Sequence, residues 1–145
     1  MLASAVGART QRLALSLILI LPFYDPVRLA EDVAVLDIFS AGRASYILAL
    51  GYRPEEYEIF GLDLGDRGWL ADEKLALLRR LLAGETVVRD GRRIAVTPQP
   101  LTKEGPAMMW GGGSLAAARP RHPDPRGLDH VAAQRISQLR RAPVP

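Results

Sequence analysis

The chain has 145 residues, 48% hydrophobic and 24% charged, which is the balance and length of one ordinary globular domain. It has no cysteine, so disulfides, thiolate zinc sites and thiol catalysis are excluded, and its two histidines, His122 and His130, leave everything before them without an imidazole base or ligand. The formal charge of +3 belongs to the tail: residues 119–145 hold six arginines and two aspartates, whereas residues 1–118 hold thirteen Lys/Arg against fourteen Asp/Glu, so the body offers no basic surface for nucleic acid.

In chain order, residues 2–11 read as the end of a helix. Leu13 to Leu21 is a near-continuous apolar run. Preceded by Arg9 and Arg12 it has the look of a signal-peptide core, but it is about half the ~20 residues a membrane span needs, and it runs into "PFYDP" rather than a small-residue cleavage site. A strand buried on both faces of a parallel sheet is the better reading, in a cytoplasmic protein. Asp25 suits the N-cap of the next helix and Pro26 its first turn. Glu31 and Asp32 lie toward its positive end. Leu29, Val33 and Leu36 give it one apolar face, Gly42 suits a left-handed C-cap, and Arg43 lies near its negative end.

"ASYILALGY" reads as a second buried strand, "RPEEYEIFG" as a short helix, and "DRGWLADEKLALLRRLLAG" as a longer amphipathic one. "ETVVRDGRRIAV" is a hairpin turning on Asp90-Gly91. After a loop, "AMMW" is a third short strand, "GGGS" a tight turn, and "LAAAR" the start of another helix that Ser114 suits as cap. Strands alternating with helices imply a parallel sheet in which the capped helix from Pro26 is a crossover.

Ligands of such sheets bind beyond the C-terminal ends of the strands. Three places qualify: the end of the first strand, "ALGY", and "GGGS". The Gly111–Ser114 turn lets backbone approach a ligand closely and offers helix amides to an anion, although a plain turn needing glycine dihedrals explains it as well. Gly51 and Tyr52 read equally as a turn and a packing ring. Glu55 and Glu56 are first-turn helix acids before they are a catalytic pair. Trp69 and Trp110 are core or interface residues, and Met108-Met109 are core. Ser16, the one polar residue in the first run, is either a buried satisfied hydroxyl or a break where a ligand approaches.

Taken together, "LPFYDPVRLAEDVAVLDIFSAGR", "LGYRPEEYEIFG", "GETVVRDGRRIAVTPQP" and "PAMMWGGGSLAAAR" resemble the bacterial luciferase-like monooxygenases, from about Thr10 to Arg119. The resemblance implies a partial (β/α)8 TIM barrel: about three βα units with a hairpin insertion. It implies an oxidoreductase using reduced flavin (FMN) or a deazaflavin with O2 on a small organic substrate, with a flavin reductase as supplier. The unpaired edges of an open sheet suggest a homo-oligomer, and the residues themselves give no metal, nucleic acid or membrane as the expectation. By position, Ser16 and Leu17 match a strand bulge, often with a non-proline cis peptide, beneath the flavin ring. Ala49, Leu50 and Gly51 match the strand end beside it. Gly112, Gly113 and Ser114 match the phosphate loop. Leu50 stands where luciferase-type members carry a phosphate-binding arginine, and the strand that carries their catalytic histidine has no counterpart.

A whole barrel needs about 250 residues. Residues 1–119 therefore read as a partial barrel domain. Residues 120–145, with prolines at 120, 123 and 125 and no apolar periodicity, read as a disordered or frame-shifted tail. The alternative to a flavin enzyme is a non-catalytic partial barrel that dimerises or docks through its open sheet.

Overall fold

A 3-residue turn and two caps decide how the chain enters its first crossover. In the computed structural model, which describes residues 2–103 and 105–111, strand β1 (Leu15–Ile20) runs into a 3-10 turn (Leu21–Phe23). Asp25 follows. Its carboxylate accepts from the amides of Val27 at 2.9 Å and Arg28 at 3.2 Å, and Pro26 opens helix α2 (Pro26–Phe39), so the start of the helix is as predicted. Glu31 and Asp32 serve a different purpose from the one expected. They lie past the first turn and pair with Arg28 at 3.0 and 3.2 Å. At the far end Gly42 takes φ +75° and its amide donates to the Asp37 carbonyl at 2.9 Å, closing the helix.

Arg43 corrects the sequence reading. Its guanidinium turns away from α2 to the end of the preceding helix, α1 (Leu2–Arg9), and donates to the carbonyls of Gly7, Thr10 and Leu13 and to the Thr10 hydroxyl. The last carbonyls of a helix have no partner within it, and a cation there also suits the dipole.

Strand β2 (Ala44–Ala49) pairs in parallel with β1, from Leu15↔Ala44 to Ile20↔Ala49. Helix α3 (Pro54–Ile59) and a 3-10 turn (Leu64–Asp66) lead to helix α4 (Arg67–Leu82). Strands β3 (Val87–Arg89) and β4 (Arg92–Ile94) form the expected hairpin, with Asp90 at φ +52° and Gly91 at φ +71°, the two positive values of a type I′ turn. Strand β5 (Ala107–Trp110) then pairs in parallel with β2, giving the order β1-β2-β5. The expected turn Gly112–Ser114, the helix after it and the tail 120–145 lie outside the described residues.

The described helices α2 and α4 pack on one side of this sheet. Leu15 and Leu19 of β1 and Ala44, Tyr46 and Leu48 of β2 are buried with Leu29, Val33 and Leu36 of α2 and Ala71, Leu75, Leu78 and Leu82 of α4. Each such leucine contributes about 1.5–3 kcal/mol by leaving water. Asp37 is buried among them. It is held by Thr102, whose amide donates at 2.6 Å and whose hydroxyl donates at 2.9 Å, so the loop before β5 is pinned to α2. Burial, with the carboxylates of Asp37 and Asp32 nearby, pushes the Tyr46 phenol well above its ordinary range.

The other side is open, against the expectation of strands buried on both faces. Ser16, Ile18 and Ile20 of β1, Ser45, Ile47 and Ala49 of β2, and Ala107 and Met109 of β5 alternate with the core residues; none is buried, and Ile18 is 70% exposed. A run such as "LALSLILIL" is equally apolar on both faces, but the described helices pack against one face only. Leu13, predicted inside the strand, precedes it and is 52% exposed.

Candidate functional site

Parallel pairing brings the C-terminal ends of β1 and β2 side by side, Ile20 opposite Ala49. β5 ends one step further along, Trp110 opposite Leu48, and the Gly111 amide donates to the Leu48 carbonyl at 2.7 Å. The three ends predicted as ligand-binding therefore form one edge.

The edge is tightly specified. Gly51 has φ +76°, and a Cβ on it would meet Cγ2 of Ile20 at 3.0 Å and the Tyr57 ring at 3.5 Å. A Cβ on Gly111 would meet Cγ2 of Ile47 at 2.7 Å. Both glycines are thus required by the packing of the edge itself. The Tyr57 hydroxyl donates to the Leu50 carbonyl and fixes the chain as it leaves β2. Burial raises the Tyr57 phenol above its ordinary range, so it stays a donor.

Above the edge stand groups that sequence reasoning missed. The Phe23 ring lies edge-on to Tyr57, centroids 4.8 Å apart, and stacks on Phe60 at 4.5 Å and 11°. The signal was available: Tyr57 and Phe60 are three residues apart on one helical turn, and Phe23 sits just past the first strand. Beside them the Lys74 ammonium donates to the Pro22 carbonyl, and desolvation lowers its pKa from the ordinary lysine value. Asp25 is reached from the hairpin by Arg89 at 2.7 Å. Partial burial works to raise the Asp25 carboxyl, but the hydrogen bonds from Arg89 and the Arg28 and Val27 amides prevail and hold it below the usual carboxylate range. That carboxylate is fully engaged, and so is no free base.

The predicted residues divide. Ala49, Leu50 and Gly51 lie together on the edge: Ala49 on the open face, Leu50 against the core, Gly51 at the turn. Ser16 and Leu17 do not join them. They pair with Ser45 and Tyr46 near the start of β1, about 13 and 10 Å below the edge at the ordinary rise per residue. Ser16 is exposed on the open face, neither a buried hydroxyl nor a break, while Leu17 packs against the core. The ladder through them is continuous and the Thr97–Pro98 bond is the only cis peptide among the described residues, so the expected bulge is absent. Gly112, Gly113 and Ser114 lie outside the described residues. Glu55 and Glu56 are first-turn acids of α3, as read. Of the two tryptophans read as core or interface residues, Trp110 packs on the core, whereas Trp69 is 64% exposed and so is not a core residue. No group of three or more potential metal ligands occurs among the described residues, nor any helix long and apolar enough to cross a membrane.

A family model, luciferase-like monooxygenase, matches residues 1–120. Limonene 1,2-monooxygenase of Rhodococcus erythropolis is 33% identical over 90 residues, 61% of this chain and 23% of that protein. Monooxygenase RslO1 from Streptomyces bottropensis superposes with TM-score 0.69 at 27% identity, over 80% of this chain and 37% of its own. A riboflavin lyase solved with modified FMN and riboflavin superposes with TM-score 0.68 at 19% identity, over 80% of this chain and 32% of its own. The chain thus spans between 23% and 37% of the length of these three proteins. Its α/β fold with three parallel strands resembles part of the TIM barrel of these enzymes, and the chain belongs to the luciferase-like monooxygenase family.

Proposed function

We propose that this chain forms part of a flavin-dependent monooxygenase acting with O2 on a small organic molecule, and that the flavin lies along the edge formed by β1, β2 and β5. The observation that carries this reading is the coincidence of the predicted residues Ala49, Leu50 and Gly51 with the side where parallel α/β folds bind ligands. The edge fits a flat ring system. Ile20, Ala49 and Met109 border it on the open face without a charged side chain, and a glycine ends the strand beside them.

Reduced flavin, when bound, supplies the electrons for the reaction with O2. Ile20 and Ala49 offer the ring an apolar surface and keep water from it. Gly51 leaves the edge free of a side chain, and Tyr57 holds the Leu50 carbonyl in place. The residues assigned to the phosphate are Gly112, Gly113 and Ser114, whose type suits an anion cradle. Ser16 borders the lower part of the open face, and Leu17 contributes only backbone there. Asp25 is committed to α2 and Arg89, so this rim contributes position and dryness rather than proton transfer. FMN is favoured over a deazaflavin by the neighbour solved with modified FMN. A flavin reductase is the supplier this chemistry asks for. The domain is residues 1–119, with 120–145 a tail outside it.

Titration of the full chain with FMN, followed by flavin fluorescence, tests the reading: saturable binding that Gly51→Val abolishes supports it, and no binding at millimolar FMN contradicts it. A second reading has its own observation. The bare face around Ile18, with the outer edges of β1 and β5 unpaired in the described sheet, suits a non-catalytic module that docks on another copy or chain. A stable dimer that Ile18→Lys dissociates, with no flavin bound, would favour it.

A further inference from the structure

Negative charge is unevenly committed over the described residues. Several carboxylates are engaged: Asp25 with Arg89, Glu31 and Asp32 with Arg28, Asp37 with Thr102, and Glu85 with Arg80. Residues 53–69, from the N-cap of α3 to the first turn of α4, are different. They hold five acids, Glu55, Glu56, Glu58, Asp63 and Asp66, against Arg53 and Arg67. Among the described residues only Glu56 of the five has an ion pair, with Arg53 at 3.9 Å. The Asp63 carboxylate accepts from the Gly65 amide, and Arg67 donates to the Leu64 carbonyl. Glu55, Glu58, Asp63 and Asp66 are exposed. The same stretch exposes Ile59, Phe60 and Trp69, by 81%, 55% and 64%. A surface both acidic and apolar fits a cationic segment that carries apolar side chains. Arginine stems cover apolar area, and guanidinium groups pair with carboxylates or lie on an indole face.

The chain carries such a segment itself. Residues 119–145 hold six arginines against two aspartates, and Leu128, Val131, Ile136 and Leu139 lie among them. Their net +4 opposes the net −3 of residues 53–69. The last described residue, Gly111, donates its amide to the Leu48 carbonyl. The segment therefore departs from the strand edge that also leads, through Gly51, into α3. From Gly111 to Arg126 the 15 intervening steps span at most about 50 Å, so α3 is within reach. A tether of that length holds its far end at an effective concentration on the order of millimolar, which makes contacts count that are weak one by one at an exposed surface.

We propose that the arginine-rich segment 126–141 docks on residues 53–69 of the same chain, its arginines against Glu55, Glu58 and Asp66 and its apolar side chains against Ile59, Phe60 and Trp69. The contact is independent of the flavin reading. In this position the segment is a salt-sensitive cover beside the strand edge.

The chain has no cysteine, so Ser137→Cys carries a single nitroxide label in the full chain. At low salt the amide signals of Glu55–Phe60 and the indole signal of Trp69 are expected to lose intensity to the oxidised label, while those of the β3–β4 hairpin and Leu78 keep theirs. Sodium chloride at about 1 M, where the screening length falls to about 3 Å, is expected to restore the lost intensity. Arg140→Glu with Arg141→Glu is expected to do the same, and these two positions take part in no described contact. Glu58→Lys, at an exposed position, should act likewise from the other side. A mixture of spin-labelled chain with isotope-labelled chain that has no nitroxide is expected to show no loss, which separates contact within a chain from contact between copies. Loss spread evenly over the exposed amides, loss confined to other elements, loss that survives high salt and the arginine reversals, or equal loss in the mixture would each overturn the proposal.

Discussion

The two faces of the β1-β2-β5 sheet come from the same strands, residue by alternate residue, yet they differ in almost every contact. The inner face is saturated. Leu15, Leu19, Tyr46 and Leu48 are buried under α2 and α4, Asp37 is locked to Thr102, and no buried side-chain polar atom is left without a partner among the described residues. The outer face holds Ser16, Ile18, Ser45, Ile47 and Met109, none of them buried, with no described helix against them. The inner face therefore holds the described fold together, and the C-terminal edge of the sheet is where we propose that the chain meets its ligand. Alternation along a strand separates the two tasks at a spacing of one residue.

Four substitutions sharpen that contrast. The largest effect is expected from Leu78→Ala, at a fully buried position of α4: about 2–5 kcal/mol lost in urea unfolding. Next is Arg43→Ala. It removes the donors to Gly7, Thr10 and Leu13, and about 2 kcal/mol of local stability with them, so amide exchange in α1 should quicken while β2 stays protected. Asp25→Ala removes the α2 cap and the partner of Arg89, costing about 1 kcal/mol in thermal unfolding. Because the folded carboxyl sits below its ordinary 3.8, this contribution is present above that pH and is lost as the pH falls through the lower folded value. The native chain should therefore lose stability at acid pH more steeply than Asp25→Ala. The smallest effect is expected from Ile18→Ser, within about 0.5 kcal/mol, since the side chain is already 70% exposed. A loss there comparable to Leu78→Ala would mean that the outer face is covered and would break the contrast.

Features that depend on local dihedrals were legible in the sequence. Asp25-Pro26 announced the start of α2, Gly42 its end, and Asp90-Gly91 the hairpin, because each residue type fits its conformation regardless of the rest of the fold. Features made by distant contacts were not. Asp37 and Thr102 are 65 residues apart, Lys74 and Pro22 are 52 apart, and Arg43 reaches back 36 residues to Gly7; no local pattern encodes such pairs. The bare outer face was hidden for a related reason: an apolar run looks the same whether or not something covers both its sides. The strand-end rule pointed to Ala49, Leu50 and Gly51, and these do lie at the C-terminal end of β2. The match by resemblance put Ser16 and Leu17 at a bulge beneath the flavin ring, and the pairing register sets them about 10–13 Å below the strand ends in an unbroken ladder. The Tyr57–Phe60 spacing was visible in the sequence, but its partner Phe23 was missed because it lies more than thirty residues away in the chain.

The most direct test of the central claim is an amide-resolved NMR titration of the full chain with FMN. The edge reading predicts saturable shifts at Ile20, Ala49, Leu50, Gly51 and Gly111, with α1 and the inner-face residues Leu75 and Leu78 unmoved. Saturable binding whose shifts fall elsewhere and spare Ala49–Gly51, or an edge unperturbed at millimolar FMN, would contradict it.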